Sequence, residues 1–192
     1  MTPIYHFPFS TGLHNRVEML EFGSFTCPQS RSTRKLIDTV LDLFRDQLTY
    51  TFHHYPGCQD DHSLLASVAA EAAKRQGKFW PMFHGLYSLK TISLPTISTL
   101  ALDIGLDQQQ FLHDLLDDRL HNFIKADYLA GANLGVNRTP TVFVGGQQFH
   151  GKITMARLSP LIQHHVGLNR KAVIGSVDRR TGLIDWGESG LW

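Results

Sequence analysis

Apolar and polar positions alternate along Val17-Glu18-Met19-Leu20-Glu21-Phe22-Gly23, which predicts a strand closed by glycine. From Ser32 to Gln47 the period changes. Leu36, Ile37, Val40, Leu41 and Phe44 fall on one helical face, with Asp38, Asp42, Arg45 and Asp46 on the other. Leu48 to Tyr55 is then rich in β-branched and aromatic residues and stops at Pro56-Gly57, a second strand. Strand, helix and strand in that order predict two parallel strands joined by a right-handed crossover.

The middle of the chain reads as helices. Leu64, Leu65, Val68, Ala69, Ala72 and Ala73 make one apolar stripe, ended near Gly77. Phe79, Trp80, Phe83, Leu86 and Tyr87 make a second, with Pro81 in its first turn, and Ile97, Leu100, Ala101 and Ile104 a third. Asp107 and Gln110 have the spacing of a capping box and predict one long helix running through Phe111 and Leu120 to Ile124. Thr141-Val142-Phe143-Val144 and Gln147 to Gly151 flank Gly145-Gly146, which predicts a hairpin with a tight primed turn. Met155, Leu158, Leu161 and Ile162 predict a closing helix. In the tail, Ala172-Val173-Ile174 and Leu183-Ile184-Asp185-Trp186 flank Asp178 to Gly182, a second predicted hairpin.

The chain has 192 residues, 42% of them hydrophobic and 18% charged, which excludes a disordered polymer and fits a single globular domain over 1–192. Lys plus Arg number 18 against 17 Asp plus Glu, so no global charge points to nucleic acid or an anionic membrane. Two cysteines, Cys27 and Cys58, are too few for a disulfide scaffold and fit a reducing compartment. Met1 to Leu20 lacks the basic stretch and long apolar run of a secretion signal, and no run approaches the ~20 apolar residues of a membrane span. A cytoplasmic protein is the expectation.

Three segments, in order, resemble the DsbA-like thiol:disulfide oxidoreductases of the thioredoxin fold. Phe22-Gly23-Ser24-Phe25-Thr26-Cys27-Pro28 resembles their strand-to-active-site turn. The stretch Phe52 to Phe83, with Ala69 to Ala73 and Gln76-Gly77-Lys78-Phe79-Trp80, is similar to their helical insertion, and Gly135 to Gly146 to their cis-proline loop and following strand. The resemblance covers roughly Val17 to Val166. It implies an α/β thioredoxin-like fold with a helical insertion at about 61–134, leaving a C-terminal extension of about 167–192 for the tail hairpin. It also implies a cis bond at Thr139-Pro140, and a substrate chain lying against Pro28, Gln29, Thr139 and Pro140.

One departure changes the expected chemistry. The family's Cys-x-x-Cys pair here reads Cys27-Pro28-Gln29-Ser30. A cysteine at a helix N-terminus sits where unpaired N–H groups and the helix dipole favour its thiolate, so Cys27 is the candidate nucleophile. A serine hydroxyl cannot resolve a mixed disulfide. Ser30 is therefore expected to hydrogen-bond the Cys27 sulfur, while an external thiol, glutathione being the candidate co-substrate, resolves the adduct. No bound cofactor and no metal are expected, and the partners implied are protein or peptide thiols and disulfides.

Two other classes fit the same residues. One is a non-catalytic module binding a protein or peptide along the cis-proline groove; the other is a glutathione-dependent isomerase or transferase of related fold. Cys58 follows the second strand and is an alternative resolving thiol if its Cα lies within about 7 Å of that of Cys27. His53, His54, Cys58 and His62 suggest a metal, but His53 and His54 are adjacent on a strand and point to opposite faces. Arg31, Arg34 and Lys35 read as a solvated helix start, with anion attraction as the functional alternative. Phe25, Phe79, Trp80 and Phe83 are aromatic candidates for a substrate groove or for the core.

Overall fold

The computed structural model describes residues 16–57 and 59–175, the last seven as helix backbone only. Its sheet has four strands in the order β2-β1-β3-β4: β1 (Val17–Gly23), β2 (Leu48–His54), β3 (Thr141–Val144) and β4 (Gln147–Gln148). β1 and β2 are parallel, in register from Val17 opposite Leu48 to Gly23 opposite His54, and α1 (Pro28–Leu43) makes the crossover between them. β3 runs antiparallel to β1, and β4 to β3. Gly145 and Gly146 both hold positive φ, 55° and 80°, the pair of left-handed residues that a tight primed hairpin turn requires.

Between β2 and β3 the chain inserts five helices: α2 (Asp61–Arg75), α3 (Phe79–Ser88), α4 (Leu94–Asp103), α5 (Gln108–Leu115) and α6 (Asp118–Asn133). This is an α/β thioredoxin-like fold with an inserted helical region. The single long helix expected after Asp107 is two helices. Asp107 caps α5 through the N–H of Gln110, but Asp117 accepts the N–H of Arg119 and starts α6 afresh, leaving Leu116 as the exposed joint. A second capping aspartate in an apolar run favours a fresh helix start, because its carboxylate satisfies a first-turn N–H that has no helical partner.

α7 (Met155–Gly175) closes the fold, burying Leu158, Ile162 and Val166. It also takes in Ala172-Val173-Ile174, so the first strand expected in the tail is helical. The other expected strand, Leu183 to Trp186, lies outside the described residues.

The two sheet faces are used differently. Val17, Met19, Phe52, Phe25 and Ile37 belong to the main core with α1, α7 and most of the insertion. Phe22, Val136 and Phe143 form a second small cluster on the opposite face, with Leu20 and Tyr55 packed on it. Phe22 stacks on His53 at 5.0 Å. Of the two carboxylates of β1, Glu18 is exposed, whereas Glu21 shares the core face with Val17 and Met19 and is fully buried.

Candidate functional site

Cys27 is the N-cap residue of α1, with extended backbone (φ −66°, ψ 121°), and Pro28 fills the first helical position, where a missing N–H breaks no helical bond. Cys27 is partly exposed. The Thr139-Pro140 peptide bond is cis, and the Cys27 sulfur lies 3.2 Å from the Thr139 carbonyl oxygen and 3.3 Å from Gln29 Oε1, two acceptors for its single thiol proton. The end of β1 and the entry to β3, remote in sequence, thus meet at one sulfur. Pro28 and Thr139 line an open cleft of about 560 Å³ beside it, with Tyr55, Gly57, Asp60 and Arg138 on its other walls.

Ser30 is placed differently from its expected role. It is buried to 1%, and its Oγ accepts the backbone N–H of Ser24 at 3.4 Å. No hydrogen bond joins it to the Cys27 sulfur among the described residues. The hydroxyl oxygen faces the backbone of the loop that carries the cysteine.

That loop is held by contacts the sequence did not advertise. Thr26 Oγ1 donates to Asp60 Oδ2 at 2.7 Å, while Asp60 Oδ1 caps α2 by accepting the Ser63 N–H at 3.0 Å. Burial opposes the Asp60 charge, but the Thr26 hydroxyl and the Ser63 and His62 N–H groups outweigh it and hold the carboxyl below its usual range. Ser24 and Ser63 share a hydrogen bond at 2.8 Å beneath the loop. Tyr55 donates to the Val136 carbonyl at 2.6 Å and so ties the end of β2 to the cis-proline loop. An aspartate immediately before an amphipathic helix is the one sequence signal that marks Asp60 as a cap.

The basic cluster after Cys27 is not a solvated face. Arg31 donates to the carbonyls of Phe25 at 2.9 Å and Leu86 at 3.2 Å, and to that of Leu89, fastening the C-terminal end of α3 to the cysteine loop. Arg34 is buried and donates to Glu21 at 3.0 Å, Tyr50 at 3.0 Å and, through Nε, Asp38 at 2.9 Å. Burial works against its charge, but Tyr50, Glu21 and Asp38 prevail and raise its pKa well above the usual value. Only Lys35 of the three is exposed. Helical periodicity places Arg34 one turn before Asp38, but not opposite a carboxylate buried in the neighbouring strand.

The remaining candidates resolve into structure. His53 Nδ1 lies 2.7 Å from Asp127 Oδ1, and His54 Nε2 3.0 Å from Glu71 Oε1, so the two histidines pair with different helices. Phe25, Phe79 and Phe83 are core residues stacked edge to face or tilted, with Trp80 packed against them, and none of the four lines the cleft. Cys58, the alternative resolving thiol, lies outside the described residues.

A sequence model of the family described as thioredoxin matches residues 14–164. The chain belongs to that family. Among solved structures, the thiol-disulfide exchange protein α-DsbA2 of Wolbachia pipientis superposes with a TM-score of 0.70 at 22% identity, covering 80% of this chain and 84% of that one. α-DsbA1 of the same organism gives 0.74 at 17% identity, over 83% and 90%. BdbD of Bacillus subtilis gives 0.72 at 15%, over 80% and 89%. The fold is thus DsbA-like. A curated relative, the Na(+)/H(+) antiporter NhaA 1 of Mycolicibacterium gilvum, is 31% identical over 148 residues, 73% of this chain and 23% of the antiporter. The chain therefore spans about a quarter of the length of the curated relatives it matches. Among the described residues no helix is long and apolar enough to cross a membrane.

Proposed function

We propose that this thioredoxin-family chain performs thiol–disulfide exchange through Cys27 alone. The observation that carries the reading is a partly exposed cysteine at the mouth of a cleft, its sulfur against the carbonyl before Pro140, with a buried serine where a second thiol would stand. The Cys27 thiolate attacks one sulfur of a disulfide; the Cys27–sulfur bond forms, the old disulfide breaks, and the leaving thiolate takes a proton from solvent. The thiol proton is gone in that adduct, which leaves the Thr139 carbonyl open to an N–H from the substrate backbone. An external thiolate, glutathione in a reducing cytoplasm, then attacks the adduct and returns Cys27 as thiolate. Disulfides are exchanged with no net change in their number.

A mapped mass spectrum after treatment with oxidised glutathione tests this. One glutathionyl group on Cys27, removed by reduced glutathione and absent from Cys27→Ser, is the expected result. A Cys27 that stays unmodified refutes exchange and leaves the rival reading, a binding module, which the buried, hydrogen-bonded Ser30 favours because no second thiol completes the redox pair. Antiport, the activity named for the curated relatives, is not carried over from a match to a quarter of their length.

A further inference from the structure

We propose that the pit between α2 and α6 is a subsite for an apolar side chain of an extended polypeptide whose cysteine engages Cys27. The inference rests on the exchange reading for the cysteine's position, and it names the substrate as a protein segment in place of glutathione. The pit has a volume of about 410 Å³, walled by Pro56, Leu64, Ile124 and Tyr128 with Asp61 and Lys125 at its rim. Pro56, Gly57, Asp60 and Tyr128 line both this pit and the Cys27 cleft, so the two hollows share one sill. A chain held at Cys27 crosses that sill at Gly57, which has no side chain to obstruct it.

The pit is built in advance. Tyr128 stacks on Tyr55 with centroids 4.6 Å apart and planes 19° apart, and Tyr55 is in turn held by the Val136 carbonyl. Asp60 is fixed from both sides by Thr26 and Ser63. Preformed apolar walls reward an apolar side chain, which loses little freedom on entering and sheds water from both surfaces. They favour glutathione's ends less, since both carry carboxylates that lose hydration against Leu64 and Ile124 and meet Asp60 and Asp61 in the lining, with Lys125 at the rim as its one lysine or arginine. The cleft alone accommodates a tripeptide; the cleft and pit together suit a longer chain that places a large apolar residue a short distance from its cysteine.

The test uses cysteine peptides joined by a disulfide to a chromophoric thiol, identical except for Leu or Asp two, three or four residues from the cysteine on either side. Release of the chromophore reports attack by Cys27. At one of these positions the Leu peptide reacts about tenfold faster than its Asp twin, the discrimination expected of a single apolar pocket. Leu64→Glu abolishes that preference and leaves the rate with oxidised glutathione unchanged. Equal rates for Leu and Asp peptides at every position, or an equal loss with glutathione in Leu64→Glu, overturn the subsite. Should Cys27 attack none of these disulfides, the exchange reading fails by itself, and binding of a fluorescent, cysteine-free Leu peptide to Cys27→Ser decides the subsite. Binding weakened by Leu64→Glu upholds it, and no binding overturns it.

Discussion

The Cys27 sulfur lies 3.2 Å from the Thr139 carbonyl oxygen across 112 residues of sequence. Each residue alone is ordinary: a helix-capping cysteine and a threonine before proline. Together they define a site, because the sulfur faces a carbonyl at the entry to β3 beside the cis peptide bond. Around them every wall of the cysteine loop is fastened by a different element, α2 through Asp60, α3 through Arg31 and the end of β2 through Tyr55.

Ser30→Cys is expected to restore a dithiol centre. Position 30 lies in the first turn of α1, buried to 1%, and exchange of oxygen for sulfur there adds little volume. Mild oxidation of this variant yields an internal disulfide between positions 27 and 30, seen as loss of two thiols in a titration and confirmed by peptide mapping. The unaltered chain treated alike gives only mixed disulfides at Cys27. A variant that keeps both thiols free under oxidant shows that the two side chains diverge.

Glu21, Arg34 and Tyr50 form a buried charged group under α1, with Tyr50 donating to Glu21 at 2.5 Å. Burial, reinforced by Glu21, raises the pKa of Tyr50 well above its usual value, against the pull of Arg34, so the phenol stays a donor. Removing one partner strands the other charge in a medium that hydrates it poorly. Arg34→Met is expected to lower the free energy of unfolding by about 3–5 kcal/mol, and Glu21→Leu with Arg34→Met together by less than the sum of the two single changes. Urea unfolding of the four proteins measures the coupling, and additive losses refute it.

Much of the fold was legible from residue pattern alone. Both long strands, the crossover helix and the glycine turn follow from periodicity and turn chemistry, since each is decided by local preferences. What pattern missed are features decided by tertiary partners. Arg34 has the spacing of a solvated helix residue, yet Glu21 sits across from it on the core face of β1. Asp117 restarts a helix within an unbroken apolar rhythm. The Ser30 hydroxyl was expected to face the sulfur, but it faces a neighbouring N–H, that of Ser24. Thr26 and Asp60 meet only because the insertion returns its first helix to the cysteine loop.

Asp60 gives the site a predictable response to acid. Its folded pKa lies below the reference value of 3.8, so its charge stabilises the fold above that pH, and the contribution is lost as pH falls through the lower folded value. Asp60→Ala removes the cap of α2 and the Thr26 contact at every pH, at a cost of about 1 kcal/mol. The difference in stability between this variant and the unaltered chain, followed by unfolding at a series of pH values, is therefore constant above about pH 5 and shrinks below the reference value. A difference independent of pH down to 2 shows that Asp60 holds no charge-dependent contact.

Gly131 is the position where the least change should disturb the cleft from outside it. A Cβ there would come within 2.8 Å of the Tyr55 ring and 2.9 Å of that of Phe22. Gly131 lies inside α6 with ordinary helical φ, so alanine would otherwise favour the helix by up to about 1 kcal/mol. Overpacking against two rings costs about 1–3 kcal/mol and wins. The Tyr55 ring moves, and with it both its bond to the Val136 carbonyl and its stack on Tyr128. Gly131→Ala is thus expected to lower stability and to slow reaction at Cys27, although residue 131 does not line the cleft. Thermal unfolding together with the rate of glutathionylation checks both effects, and a stabilised variant with unaltered rate shows that the rings yield without cost.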